Sequence, residues 1–125
     1  MIHGIGTDIV AVARIRSGIE RHGERFAEHI LTASESLELA RAPDAARFIA
    51  KRFAAKEAFA KAYGTGLRAP VTLHAIAVGH DALGRPFYVL DETVGALMAQ
   101  AGLRAFLSIS DEREHVVAMA VIEAA

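Results

Sequence analysis

The chain has 125 residues, with 14 Lys+Arg against 15 Asp+Glu for a formal net charge of -1. That length suits one compact core and not two independent domains, and that balance excludes a sequence-independent grip on nucleic acid. No cysteine is present, which removes disulfides, thiolate metal sites and a cysteine nucleophile and makes the cytosol the expected compartment. The hydrophobic share is 53% with only 6% aromatic, high for a small soluble domain; either an Ala-rich composition or a buried subunit interface accounts for it.

The opening segment, MIHGIGTDIV, has no basic stretch and no long apolar core, and no later apolar run approaches about 18 residues, so neither export nor membrane insertion is expected. Met1 to Val10 reads as a strand. Ile5, Thr7 and Ile9 share one side, and Gly4, Gly6 and Asp8 the other, so Asp8 lies on a face cleared by two glycines. From Val12 the period becomes helical, with Val12, Ile15, Ile19, Phe26 and Ile30 on one arc and Gly23 as the point where two helices would separate. Thr32 and Glu35 have capping-box spacing, predicting a helix from Ala33 to about Arg41. Asp44, after Pro43, is the expected N-cap of a long helix that runs to Tyr63 and stops at Gly64.

Two strands follow, Val71 to Gly79 and Pro86 to Leu90, joined by a turn in which Asp81 and Gly84 fit. Asp91 caps a short helix ending near Ala101, before Gly102. Leu103 to Ser110 and Val116 to Ile122 read as a hairpin with Asp111 to His115 as its loop. Strands and helices without strict alternation, in a chain with no linker or repeat, predict one α+β domain over residues 1–125.

The long helix carries charges in unexpected places. Phe48, Ile49, Phe53, Phe59 and Tyr63 span an apolar arc, yet Arg52 and Lys56 fall inside it, while Glu57 and Lys61 share another face one turn apart. A helix apolar almost all round is buried, and buried charges need a partner, a metal or a ligand. On spacing alone, Glu57 and Lys61 are an ordinary i,i+4 surface pair worth a few tenths of a kcal/mol. Gly64-Thr65-Gly66 offers backbone amides and a hydroxyl suited to an oxyanion, but a helix C-cap explains it equally well, and its order is not that of a phosphate-binding Walker loop. The six histidines show no metal-ligand spacing, and no Gly-x-Ser-x-Gly is present. Arg14, Arg21 and Arg25 lie within roughly 40° of one another if the helix continues through Gly23. They form either a basic stripe or a solvated face neutralised by Glu20, Glu24 and Glu28.

Taken together, Gly4-Ile-Gly-Thr-Asp8-Ile-Val, Arg14-Ile, Arg52-Phe-Ala-Ala-Lys56-Glu57-Ala-Phe-Ala-Lys61-Ala-Tyr-Gly64-Thr-Gly66, Gly84-Arg-Pro86 and Leu107-Ser-Ile-Ser110 resemble the holo-acyl-carrier-protein synthase family, the small, trimeric group of 4'-phosphopantetheinyl transferases. The resemblance spans the chain in order. It implies transfer of 4'-phosphopantetheine from coenzyme A to a serine of an apo-acyl carrier protein, as fatty acid biosynthesis requires, with release of adenosine 3',5'-bisphosphate.

It further implies a Mg²⁺ ion on Asp8 and Glu57. Lys61 would hold a pyrophosphate oxygen and Glu57 would take the serine proton, making Asp8, Glu57 and Lys61 the catalytic set. Gly64, Thr65 and Gly66 would line the coenzyme A cleft, Pro86 and Ser110 would be further wall residues, and Arg52 or Lys56 would lie near the phosphates. Arg14, Arg21 and Arg25 match carrier-docking arginines. The family fold, an antiparallel sheet packed on a long buried helix, would assemble as a homotrimer with each cleft between neighbouring subunits. Phe106 and Asp111 stand where many relatives carry histidines, so no role passes to those positions. A noncatalytic coenzyme A or carrier-protein binding module, and an Ala-rich structural oligomer, are the alternatives; neither gives Asp8, Glu57 and Lys61 a joint use.

Overall fold

The computed structural model describes all 125 residues. Strand β1 (Ile2–Ala11) leads directly into α1 (Val12–His22), and Gly23, at φ 57°, separates α1 from α2 (Glu24–Ile30). Arg25 therefore belongs to a different helix from Arg14 and Arg21, and the single-helix alignment of the three arginines does not hold. Helix α3 (Ala33–Leu39) starts with the expected capping box, in which Thr32 Oγ1 accepts from Glu35 N and Glu35 Oε1 accepts from Thr32 N. Helix α4 (Ala45–Tyr63) is capped by Asp44 and ends at Gly64, whose φ of 108° is the left-handed conformation that terminates a helix.

The strand expected from Val71 begins only at Ile76: Leu73–Ala75 forms a 3-10 turn before β2 (Ile76–His80). Its partner β3 (Pro86–Leu90) has the expected bounds. Helix α5 (Glu92–Gln100), strand β4 (Leu103–Asp111) and strand β5 (His115–Ala124) complete the chain. All strand pairs are antiparallel: a three-stranded sheet in the order β1-β5-β4 and a two-stranded sheet of β2 and β3. The α+β class and the sheet packed on a long helix are thus as the sequence implies. No helix is long and apolar enough to cross a membrane.

The core lies between α4 and the inner face of the larger sheet. On that face Val116, Ala118, Ala120 and Ile122 of β5 are buried, and they meet Ile49, Ala50, Ala54, Ala58 and Phe59 of α4 in one apolar cluster. The alanines and glycines bring helix and strand unusually close: a methyl group on Gly4 would overlap the carbonyl of Ala62, and one on Gly6 the carbonyl of Ala58. The sheet's outer face is apolar and uncovered within the chain. Ile5 is 59% exposed, Ile9 65%, Phe106 49% and Met119 42%.

Candidate active site

Alternation on β1 and the glycine-permitted approach of α4 decide what Asp8 meets. Its carboxylate points to the inner face, where Lys61 Nζ lies 3.1 Å from Asp8 Oδ1 and donates to the Thr7 carbonyl at 2.9 Å. Glu57, one turn earlier on α4, is half-buried. Burial pushes its pKa up from the ordinary carboxylate range, the negative charge of Asp8 adds to the rise, and Lys61 opposes it. The strand carboxylate, the helix carboxylate and the lysine therefore share one electrostatic neighbourhood, and the surface-pair reading of Glu57 and Lys61 is replaced by a three-charge cluster.

That cluster suits a hard dication. Two carboxylates are too few to enclose an ion, and no group of three or more His, Cys, Asp or Glu side chains is gathered anywhere to do so. Mg²⁺ favours just such a partial set, completed by water and phosphate oxygens. A dication would also relieve the repulsion that raises Glu57.

Arg52 and Lys56 are buried, as their place in the apolar arc requires, and both are paired. Lys56 is fully enclosed: its Nζ donates to Glu35 Oε1 at 2.6 Å and to the Ile30 carbonyl at 2.7 Å. Burial pulls its pKa down, and Glu35 holds it back up. An ammonium enclosed in this way is not presented to a phosphate, so the expected position of Lys56 beside coenzyme A phosphates is corrected. Arg52 Nη2 donates to Glu38 Oε2 at 3.1 Å, and its Nε lies 3.5 Å from Glu35 Oε2 without a hydrogen-bond partner. Arg52 nevertheless lines a cavity that it shares with Arg47, Lys51 and His80.

Glu35 is the residue that sequence reasoning assigned only to a helix cap. Besides Thr32 N and Lys56 Nζ it accepts from Val78 N at 3.0 Å, joining α3, α4 and β2. The signal for it was present: two cations in an apolar arc need a partner, and a buried carboxylate is one that serves both.

In the Gly64-Thr65-Gly66 loop, both glycine amides donate to the Ala60 carbonyl, so these two close the helix and are not free oxyanion donors. Gly66 has φ 68°, and the space beside Gly64 and Gly66 is open. Thr65 Oγ1 donates to the Gly66 carbonyl. Pro86 lies opposite His80 in the small sheet. Ser110 is exposed on the outer face of β4, in the row of Val117 and Ile9, whereas Asp8 faces inward; one chain does not bring the two together. Arg14, Arg21 and Arg25 are exposed, and none is held in an ion pair.

A strand acid meeting a Lys-Glu-x-x-x-Lys helix inside an α+β domain defines the class, and the chain belongs to the 4'-phosphopantetheinyl transferase superfamily, whose family model matches residues 4–120. Among curated relatives, the holo-[acyl-carrier-protein] synthase of Azoarcus sp. (strain BH72) is 59% identical over 123 residues, 98% of each chain. The crystal structure of holo-[acyl-carrier-protein] synthase from Neisseria meningitidis is 47% identical and superposes with a TM-score of 0.95 over 98% of this chain and 99% of that one. The Bacillus anthracis holo-(acyl-carrier-protein) synthase, solved in complex with CoA (3',5'-ADP), is 35% identical with a TM-score of 0.83, over 100% of this chain and 99% of that one.

Proposed function

We propose that this protein is a cytoplasmic holo-[acyl-carrier-protein] synthase that transfers 4'-phosphopantetheine from coenzyme A to a serine hydroxyl of an apo-acyl carrier protein, for fatty acid biosynthesis. The observation that carries the reading is the convergence of Asp8, Glu57 and Lys61 on one face between β1 and α4. In the reaction the serine oxygen attacks the phosphorus bearing pantetheine, the bond to the bisphosphate oxygen breaks, and adenosine 3',5'-bisphosphate departs.

Glu57 accepts the serine proton, directly or through a water on the metal that it would hold. Lys61, released from Asp8, holds a pyrophosphate oxygen and stabilises the charge that develops in the transition state. Asp8 and Glu57 would hold Mg²⁺, which supplies neutralisation of the departing phosphate when bound. Thr65, between two glycines with open space beside them, and Pro86 line the coenzyme A cleft, and Arg52 lies near its phosphates.

The uncovered apolar sheet face supports a homotrimer. Ser110 supports clefts between subunits: it stands on the face opposite Asp8, so a cleft that it lines holds the carboxylates of another copy. Exposed, unpaired Arg14, Arg21 and Arg25 suit an acidic carrier protein, which they would steer and orient.

The test is direct. With Mg²⁺ and coenzyme A the protein adds about 340 Da to an apo-acyl carrier protein, the mass of the transferred group. No mass gain across several apo carriers would overturn the assignment.

A further inference from the structure

The two-stranded sheet of β2 and β3 is too small to hold its own place, since a lone hairpin is marginal in water and needs a helix to pack on. Ile76 and Val78 join Phe59 of α4 in the apolar core, but such contact is non-directional and tolerates a slide along the helix. Two polar ties remove that freedom, and both leave one rung of the sheet, where Val78 of β2 stands opposite Tyr88 of β3. On one side the Tyr88 hydroxyl donates to the Ala55 carbonyl at 2.6 Å. On the other, Val78 N donates at 3.0 Å to Glu35 Oε2, while Glu35 Oε1 accepts from Lys56 Nζ at 2.6 Å. The anchors on α4 are thus the consecutive residues Ala55 and Lys56, both fully buried.

Charge neutralisation explains the Glu35–Lys56 pair. The Tyr88 hydroxyl has no such need: an interior helix carbonyl is already served by its own helix, and a phenylalanine would fill the same space with no polar group to bury. Burial pushes the Tyr88 pKa up, so the hydroxyl stays a donor at any working pH. Side chains alternate along β3, and Pro86 shares the half-buried face of Tyr88, whereas Phe87 and Val89 are exposed on the other. A hydroxyl fixed on α4 therefore sets how far Pro86 stands from that helix. We propose that Tyr88 is a positioning residue for coenzyme A: its hydroxyl, with the Glu35–Lys56 pair across the rung, holds β3 at one height on α4, so that the Pro86 wall of the cleft is in place before coenzyme A arrives. Without the hydroxyl, coenzyme A has to restore the register as it binds, a cost that falls on affinity and not on the chemical step. The inference rests on the reading that Pro86 lines the coenzyme A cleft.

The experiment is steady-state kinetics of wild type, Tyr88→Phe, Pro86→Ala and the double variant, with coenzyme A and apo-acyl carrier protein varied in turn, beside calorimetric titration with coenzyme A. Tyr88→Phe keeps the ring against Phe59, 5.1 Å between centroids, and removes only the hydroxyl. It should raise the KM and the Kd for coenzyme A about fivefold, the scale of one net hydrogen bond, and keep kcat and the carrier KM within about twofold of wild type. In the Pro86→Ala background the same substitution should add nothing, because the wall that it positions is gone. Ile122→Val, a core substitution on β5 with a comparable loss of stability, should move none of these constants. A fall in kcat at unchanged coenzyme A affinity, an effect that persists in the Pro86→Ala background, an equal shift from Ile122→Val, or no effect would each overturn the proposal. Should Tyr88→Phe not fold, Tyr88→Met takes its place with the same expectations. A wild type that does not bind coenzyme A overturns the cleft reading as well, whereas wild-type binding with an unaltered Tyr88→Phe overturns the positioning role only.

Discussion

Glu57 occupies a position where a carboxylate is costly to ionise, half-buried and close to a second acid. An acid whose folded-state pKa lies above its unfolded value subtracts stability above the folded pKa and nothing below the unfolded one. Without metal, Glu57→Gln should therefore melt about 1–2 °C above wild type at pH 7 to 8. The gap should close as the pH falls toward 4, and scanning calorimetry across that range checks it. Added Mg²⁺ should raise the wild-type melting temperature and leave the variant unmoved, while turnover of the variant is lost.

Lys56, its neighbour, presents the opposite case, a charge with no access to solvent or ligand. Lys56→Met leaves the enclosed Glu35 carboxylate facing Arg52 alone and should cost about 3–5 kcal/mol in a denaturant titration. Two cations only four residues apart thus divide differently: Arg52 reaches a cavity and Lys56 does not. The periodicity of α4 marked both as out of place. It could not say which was structural, because the deciding partner, Glu35, is 21 residues away and is aimed by the fold of α3.

At the scale of elements, the site exists because β1 and α4 touch backbone to backbone. A side chain at Gly6 would collide with the Ala58 carbonyl, which the helix cannot move without dragging Glu57 and Lys61 with it. Gly6→Ala should lower stability by about 2–3 kcal/mol and reduce turnover further than the melting temperature explains, because Asp8 and Lys61 would separate; a variant of normal stability and turnover would contradict this account.

The glycine alternation around Asp8 was legible as a cleared face, though not what filled it. The start of β2 was not legible. Val71, Leu73 and Ala75 alternate as a strand would, but a strand extends only as far as its partner, and β3 ends at Leu90 because Asp91 caps α5. With no strand opposite, Ala75 N closes a turn on Thr72 and its carbonyl accepts from Asp91 N. Similarly, Gly23 was legible as a break, while the divergence of Arg25 from the Arg14 and Arg21 helix follows from the conformation that Gly23 adopts, with φ 57°.

For the whole molecule, part of the apolar composition stands uncovered on the outer sheet face. Ile5, Ile9, Phe106 and Met119 together form a surface that water does not favour. In the proposed trimer, Ile9→Asp should move the solution mass measured by light scattering from three chains toward one and remove activity with it, since that assembly is what would set Ser110 in a neighbour's cleft. An unchanged mass would show that the chains assemble through another surface.

The sequence by itself determined the α+β class, nearly every element boundary, the motif that resembles phosphopantetheinyl transferases and, through that resemblance, the candidate set Asp8, Glu57 and Lys61. These rest on local periodicity, on caps such as Thr32, Asp44 and Asp91, and on a short helical motif, all properties of residues close together in the chain. Tertiary structure alone decided that Glu35 neutralises Lys56, that Gly64 and Gly66 give their amides to the helix end, that Ser110 and Asp8 lie on opposite faces, and that Asp111 accepts from Arg47. Each of those depends on contact between distant segments or on which side of a strand faces the core, and neither is written in any local stretch of sequence.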